Sequence, residues 1–183
     1  QAIQKEEELL LPIRARADFV VNTAGLTLGK LQHHLFSLLM GGEEKRDITV
    51  TVMSFGFKHG IPLDADMVLD VRFLPNPCYI KEIRAYTGME APIRDYVMGK
   101  EETRAFLVHL YTLVDYLIPL YQKEGKRRLM IAIGCTGGAH RSVAISEALG
   151  AHLRALGQIV SVTHRDTALE EASWPFRRDR SQE

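Results

Sequence analysis

The sequence has few cysteines, no excess charge of either sign and no long hydrophobic run. Its two cysteines, Cys78 and Cys135, form no disulfide framework and lie in no paired metal-ligand pattern, so we expect a reducing compartment and no metal or cofactor. The 23 basic residues balance 23 acidic ones, so anion binding must come from locally placed Arg and Lys rather than from a global field. No stretch approaches the roughly 20 apolar residues of a membrane span, and no signal peptide is visible. We therefore expect a cytoplasmic protein that does not enter the membrane.

The chain of 183 residues, 46% of them hydrophobic, is long enough to bury a core. Residues 41–47 are two glycines followed by a charge run, which predicts a linker. Before it we expect a short strand at 18–22 and a helix at about 26–40, which cannot close a core alone. The sequence thus predicts a fragment of a preceding domain at 1–42, a domain at 47–166 and a flexible tail at 167–183.

Residues 47–166 alternate between patterns typical of strands and of helices. Residues 129–133 are almost wholly apolar, as in a strand that is covered on both faces. This order predicts an α/β fold with a mostly parallel sheet, helices on both faces and a phosphate-binding strand-loop-helix near the C-terminal half. The predicted strands are 48–55, 67–73, 129–133 and 158–163; the predicted helices are 101–123 and 141–156; residues 74–99, with three prolines, are predicted to be a long functional loop with short helical turns.

The loop from Gly134 to Ser142 carries the strongest functional signal. Its small residues, with Gly137 and Gly138 adjacent, let main-chain N–H groups turn toward one point, and the following helix adds its positive end. Arg141 can hold phosphate oxygens through two N–H groups, and Thr136, Ser142 and His140 add polar side chains. Phosphate is the ligand that these groups suit best. The alternative is an ordinary glycine-rich turn capped by its own hydroxyls.

Cys135 and Arg141 also have the Cys-x5-Arg spacing of cysteine-dependent phosphatases. In such enzymes the thiolate attacks phosphorus while the arginine holds the equatorial oxygens. A phosphatase needs a separate acid, for which Asp64, Asp70 and Asp95 are available. We favour a non-catalytic domain with no catalytic residue, and turnover of an aryl phosphate that depends on Cys135 would discriminate the two hypotheses.

From about Ile48 to Asp166 the chain resembles the RapZ/YvcJ family of RNase adapter and nucleotide-binding proteins, and residues 1–40 resemble the end of that family's N-terminal kinase-like domain. The resemblance is carried, in order, by Ser54-Phe55-Gly56-Phe57-Lys58, Gly60-Ile61-Pro62, Asp64-Ala65-Asp66, Asp70-Val71-Arg72-Phe73-Leu74-Pro75-Asn76-Pro77, Ile133-Gly134-Cys135-Thr136-Gly137-Gly138 and His140-Arg141-Ser142.

The resemblance implies a regulatory role. In the family a nucleotide-binding P-loop domain precedes a C-terminal domain that senses glucosamine-6-phosphate or UDP-GlcNAc, and in enterobacteria that domain binds small RNAs and presents them to an RNase. This chain has no P-loop, so we expect no nucleotide binding by its N-terminal segment. The implied partners are a phosphorylated amino sugar or nucleotide sugar, small RNA, an RNase or an amino-sugar biosynthetic enzyme, and a second copy of the chain in a homo-oligomer.

The resemblance also assigns roles to residues. Asp70 would accept from a sugar hydroxyl or amine, although Asp70 and Arg72 can also form an ordinary ion pair. Cys78 stands where the enterobacterial proteins carry a histidine. We expect Arg141→Ala to abolish metabolite binding without unfolding the domain. The implied phosphate-binding residues are Cys135, Thr136, Gly137, Gly138, His140, Arg141 and Ser142, with Lys58, Asp70 and Arg72 at the rim. The implied RNA-binding residues are His140, Arg141, Arg177 and Arg178, with Trp174 or Phe176 stacking on bases. The alternative for residues 167–183 is a solvated tail without a binding role.

Overall fold

The computed structural model describes residues 2–40 and 48–174, and the chain divides into two compact units between Lys45 and Arg46. The first unit contains two helices, α1 (Ala2–Arg16) and α2 (Leu28–Met40). The strand predicted at 18–22 is wrong: these residues have no regular structure, and Phe19 and Val20 are half exposed, with no strand in the described part of this unit to pair with them. The predicted linker at 41–47 lies outside the described residues.

The second unit is built on a four-stranded sheet. Its strands are β1 (Thr49–Gly56), β2 (Met67–Asp70), β3 (Arg128–Cys135) and β4 (Ile159–His164). They run in the order β2-β3-β1-β4, and every pairing is parallel. The predicted α/β class and parallel sheet are confirmed. Because all four strands point the same way, their carboxyl ends meet at one edge of the sheet, where ligands bind in such folds.

Helices lie around this sheet. They are α3 (Ala91–Met98), α4 (Glu101–Glu124), α5 (Arg141–Ala155) and α6 (Thr167–Ser173). Apolar side chains of α3, α4 and α5 join those of Val50, Val52 and Ile131 in the buried core. The alternate residues of β1 and β4, such as Thr49, Ser161 and Thr163, are exposed. The prediction of helices around a parallel sheet is confirmed.

Two predicted bounds differ from the structure for local reasons. The second strand ends at Asp70 rather than at residue 73, because the Asp70 carboxylate accepts the N–H of Arg72 at 2.8 Å and turns the chain. The predicted long loop contains a 3-10 turn at Pro77–Tyr79 and the eight-residue helix α3. Helix α3 escapes a periodicity search because it buries only Ile93 and Val97.

The segment predicted to be a flexible tail, 167–183, begins with a short helix. Residues 167–173 form α6, which buries Thr167 and Glu170 against the rest of the unit. Residues 175–183, including Arg177 and Arg178, lie outside the described residues. None of the helices in the described ranges is both long and apolar enough to cross a membrane.

Candidate anion-binding site

A cavity of about 140 Å³ opens at the carboxyl edge of the sheet. The segments that follow all four strands line it, because the strands are parallel and end at the same edge of the sheet. Pockets that bury a drug-sized ligand have roughly 300–1,000 Å³, so this cavity suits a phosphate group with part of a sugar ring. Loop residues 135–141 line it, together with Lys58, Asn76, Cys78, Glu170 and Trp174.

The loop presents main-chain donors. Gly138 has a φ of 93°, and a Cβ there would lie 2.6 Å from the Gly56 nitrogen, so only glycine allows the loop to approach the end of β1. The N–H groups of Gly137, Ala139, His140 and Arg141 donate to no acceptor within residues 48–174. Helix α5 begins at the same point, with no side-chain cap and no acidic residue in its first turn. The loop and the helix start thus leave main-chain donors available to an anion.

Cys135 and Ser142 form the floor of the loop. Both are buried, and the Cys135 Sγ lies 3.1 Å from the Ser142 Oγ. The same sulfur accepts the N–H of Gly138 at 3.3 Å. Thr136, in contrast, is exposed at the cavity mouth. The loop therefore places the Thr136 hydroxyl at the cavity, whereas the Cys135 thiol and the Ser142 hydroxyl are hydrogen-bonded to each other.

Arg141 is buried and binds main-chain oxygens. Its Nη1 donates to the carbonyl oxygens of Arg72 at 2.8 Å and Leu74 at 2.9 Å, and its Nη2 donates to the Thr136 Oγ1 at 3.2 Å. The buried Nε has no partner in the described residues. The guanidinium thus lines the cavity with a positive charge while it joins the segment after β2 to the loop.

His140 is nine-tenths buried beside the cavity. Its Nε2 donates to the carbonyl oxygen of Arg84 at 3.1 Å, and its ring stacks on Trp174 with centroids 5.3 Å apart. Burial lowers the pKa of His140, so the ring is neutral at pH 7. It contributes shape and an aromatic face, not a positive charge.

Lys58 supplies the second cation of the cavity. It follows β1, its N–H donates to the Thr136 carbonyl oxygen at 3.3 Å, and its ammonium pairs with the Glu170 carboxylate. His59 donates to the same Glu170 oxygen at 2.8 Å. Lys58 therefore lies where the sequence predicts it, already paired with an acid from α6.

Asp70 and Arg72 do not line the cavity. Arg72 donates to both carboxylate oxygens of Asp70 at 2.7–3.0 Å, and its guanidinium lies 4.1 Å from the centre of the Phe57 ring. These hydrogen bonds hold the pKa of Asp70 below its ordinary value. The two residues form the ordinary ion pair that is the alternative prediction, and the carbonyl oxygen of Arg72 helps to position Arg141.

Sequence reasoning missed two lining residues, Asn76 and Glu170; Cys78 and Trp174 also line the cavity, although the sequence singles out Cys78 only as the counterpart of a histidine and Trp174 only as a base-stacking residue. Asn76 has a visible signal, because Asn-Pro-x is a common turn start and the Asn76 side chain caps the Cys78 N–H at 3.2 Å. Glu170 has no such signal, since its segment resembles a solvated tail. Trp174 instead packs on His140.

The second unit also matches known proteins. A family model described as the RapZ C-terminal domain matches residues 48–168. The chain belongs to this family. The match includes Lys58 and the whole loop, and it ends two residues before Glu170.

Similar chains extend the match beyond the RapZ C-terminal domain. A nucleotide-binding protein of Finegoldia magna is 51% identical over 166 residues, which are 91% of this chain and 58% of that protein. Another nucleotide-binding protein, from Caldicellulosiruptor saccharolyticus, is 47% identical over 166 residues, 91% of this chain and 57% of its own length. The chain thus spans less than three fifths of these relatives.

Proposed function

We propose that the second unit is a regulatory domain that binds a phosphorylated amino sugar or nucleotide sugar and thereby controls a protein or RNA partner. The observation that carries this proposal is the set of unpaired loop N–H groups, which lines one small cavity together with Arg141 and Lys58. Main-chain donors at a helix start, supported by cations, are the groups that bind phosphate. The names of the relatives, nucleotide-binding proteins, support a ligand of this class.

The same geometry favours binding over hydrolysis. Asp64, Asp70 and Asp95, the acids available to a phosphatase, are exposed and do not line the cavity. The Cys135 thiol borders the cavity but is 3% exposed, and its sulfur is already within hydrogen-bond distance of the Ser142 hydroxyl and the Gly138 N–H. We therefore retain the non-catalytic proposal, and turnover of an aryl phosphate by the wild-type chain but not by Cys135→Ser would overturn it.

His140 and Arg141 were also predicted to contact RNA. Both are buried, so within the described residues they can meet a phosphate only through the cavity. An RNA phosphate and a metabolite phosphate would then compete for one loop. In a mobility-shift assay, added glucosamine-6-phosphate should release a short bound RNA; RNA that stays bound would place its site elsewhere.

The direct test is Lys58→Met, titrated by calorimetry with glucosamine-6-phosphate and inorganic phosphate. The variant removes a cation that lines the cavity, and a hydrogen bond to a charged group is worth about 1.5–3 kcal/mol, so we expect affinity to fall about tenfold or more. Lys81→Met is the matched control, because Lys81 is exposed and does not line the cavity. If neither inorganic phosphate, glucosamine-6-phosphate nor UDP-GlcNAc binds the wild-type chain, the proposal is wrong.

A further inference from the structure

Glu170 is the one carboxylate among the residues that line the cavity in the described part of the chain. It comes from α6 and is 7% exposed. A buried carboxylate is costly unless it has charged or hydrogen-bonding partners. Lys58 and His59 are those partners, so the acid is held in place at the wall of an otherwise cationic cavity.

The two oxygens of Glu170 have different surroundings. Oε1 accepts from the His59 Nε2 at 2.8 Å and pairs with the Lys58 ammonium. Oε2 accepts from no donor in residues 48–174, and it lies so close to Gly137 that a Cβ on that residue would be 2.4 Å away. One oxygen anchors the carboxylate, and the other remains an open acceptor beside the loop.

We propose that Glu170 determines ligand specificity by accepting a hydrogen bond from an ammonium group of a phosphorylated ligand. The inference rests on the proposed function and goes further by naming the residue that reads the amine. A ligand with only a phosphate gains from the loop donors but faces the carboxylate. A ligand with a phosphate and a protonated amine satisfies both sides of the cavity.

Asp70, the residue first expected to contact the amine, is unsuited to this role. Both of its oxygens accept hydrogen bonds from Arg72, and it lies outside the cavity. Glu170 retains one open oxygen and lies at the loop. The family match ends at residue 168, so this acceptor belongs to the part of the site that the match does not include.

The test is Glu170→Gln, measured by calorimetry with three probes: glucosamine-6-phosphate, glucose-6-phosphate and inorganic phosphate. The wild-type chain should prefer glucosamine-6-phosphate over glucose-6-phosphate by about tenfold, as expected for one hydrogen bond between charged groups. Glu170→Gln should abolish that preference and still bind inorganic phosphate. Glu171→Gln is the matched control, because it removes the same charge from the same helix at a residue that does not line the cavity.

Gly137→Ala supplies a second variant that keeps the acid but displaces it. The φ of Gly137 is not positive, so the backbone accepts alanine, whereas its Cβ would collide with the Glu170 Oε2. This variant should also lose the preference for glucosamine-6-phosphate over glucose-6-phosphate. It therefore tests the role of Glu170 even if Glu170→Gln does not fold. A preference that persists in both variants, or an equal gain for all three probes in Glu170→Gln, would overturn the inference. Wild-type binding of all three without preference would overturn it and leave the proposed function intact, whereas no phosphate binding at all would overturn both.

Discussion

Replacement of Arg141 by alanine should destabilise the second unit. The position of Arg141 in the loop, in contrast, predicts a loss of metabolite binding without unfolding. The guanidinium makes two short bonds, to the Arg72 and Leu74 carbonyl oxygens, and a longer one to Thr136. A hydrogen bond to a charged group contributes about 1.5–3 kcal/mol, and removal of an unpaired buried donor such as the Nε returns about 1–3 kcal/mol. We expect a net loss near 3 kcal/mol, which for a unit of this size lowers the Tm by about 10 °C.

The single tryptophan of the chain makes this loss measurable. Trp174 packs on His140 at the cavity, so its fluorescence during urea unfolding reports on the second unit. Arg141→Lys should recover part of the loss, because an ammonium can reach one of the two carbonyl oxygens. Arg154→Ala, an exposed residue of the same helix, is the control and should change stability by less than about 0.5 kcal/mol. If Arg141→Ala unfolds at the same urea concentration as the wild-type chain, the guanidinium does not join these segments, and it is free to act as a phosphate ligand alone.

Two further predictions concern the loop. Gly138→Ala should lower stability more than Gly125→Ala. Both glycines have a positive φ, so each substitution costs about 1–2 kcal/mol in backbone strain, but only at Gly138 does the new Cβ also meet the Gly56 nitrogen. Equal losses in Tm for the two variants would contradict the close packing of the loop against β1. The pKa of His140 is lowered by burial, so the unfolded chain binds its proton more readily, and stability should fall as the pH drops below about 6.5, the ordinary histidine pKa. His140→Gln should flatten this dependence between pH 8 and 5.5 in calorimetric scans, whereas the exposed His109→Gln should not; an unchanged slope in His140→Gln would refute the assignment.

The sequence predicts the elements with strong periodicity and the loop between β3 and α5. The helix predicted at 101–123 is found at Glu101–Glu124, and the strand and helix around the loop are displaced by one or two residues. The pattern of apolar residues is enough for these elements, because the helices bury one continuous face and the strand is apolar on both of its faces. Pairing between strands distant in the sequence is different, and the exposed segment 18–22 illustrates it: a strand-like composition forms no strand without a neighbour.

The site was only partly predictable for a related reason. Residue type indicates which groups can bind phosphate, but not which of their atoms are already in use. Arg72 and Asp70 have suitable chemistry but form an ion pair with each other. Glu170 lines the cavity, but it lies on the short helix α6, which has little sequence signal. Arg141 has suitable chemistry and lies at the cavity, but its Nη1 already donates to two main-chain carbonyl oxygens. No sequence pattern reveals those partners.

The backbone of β1 meets the backbone of the loop at Gly56 and Gly138 without a side chain between them. A Cβ on Gly56 would lie 2.3 Å from the Gly137 carbonyl oxygen, so neither side of this seam tolerates a larger residue. Paired substitutions cannot compensate, since enlarging one side never makes room on the other. Efforts to redesign the chain for a new ligand should therefore leave this glycine seam intact and vary the cavity wall at Asn76 and Cys78, where side chains rather than main-chain atoms border the space.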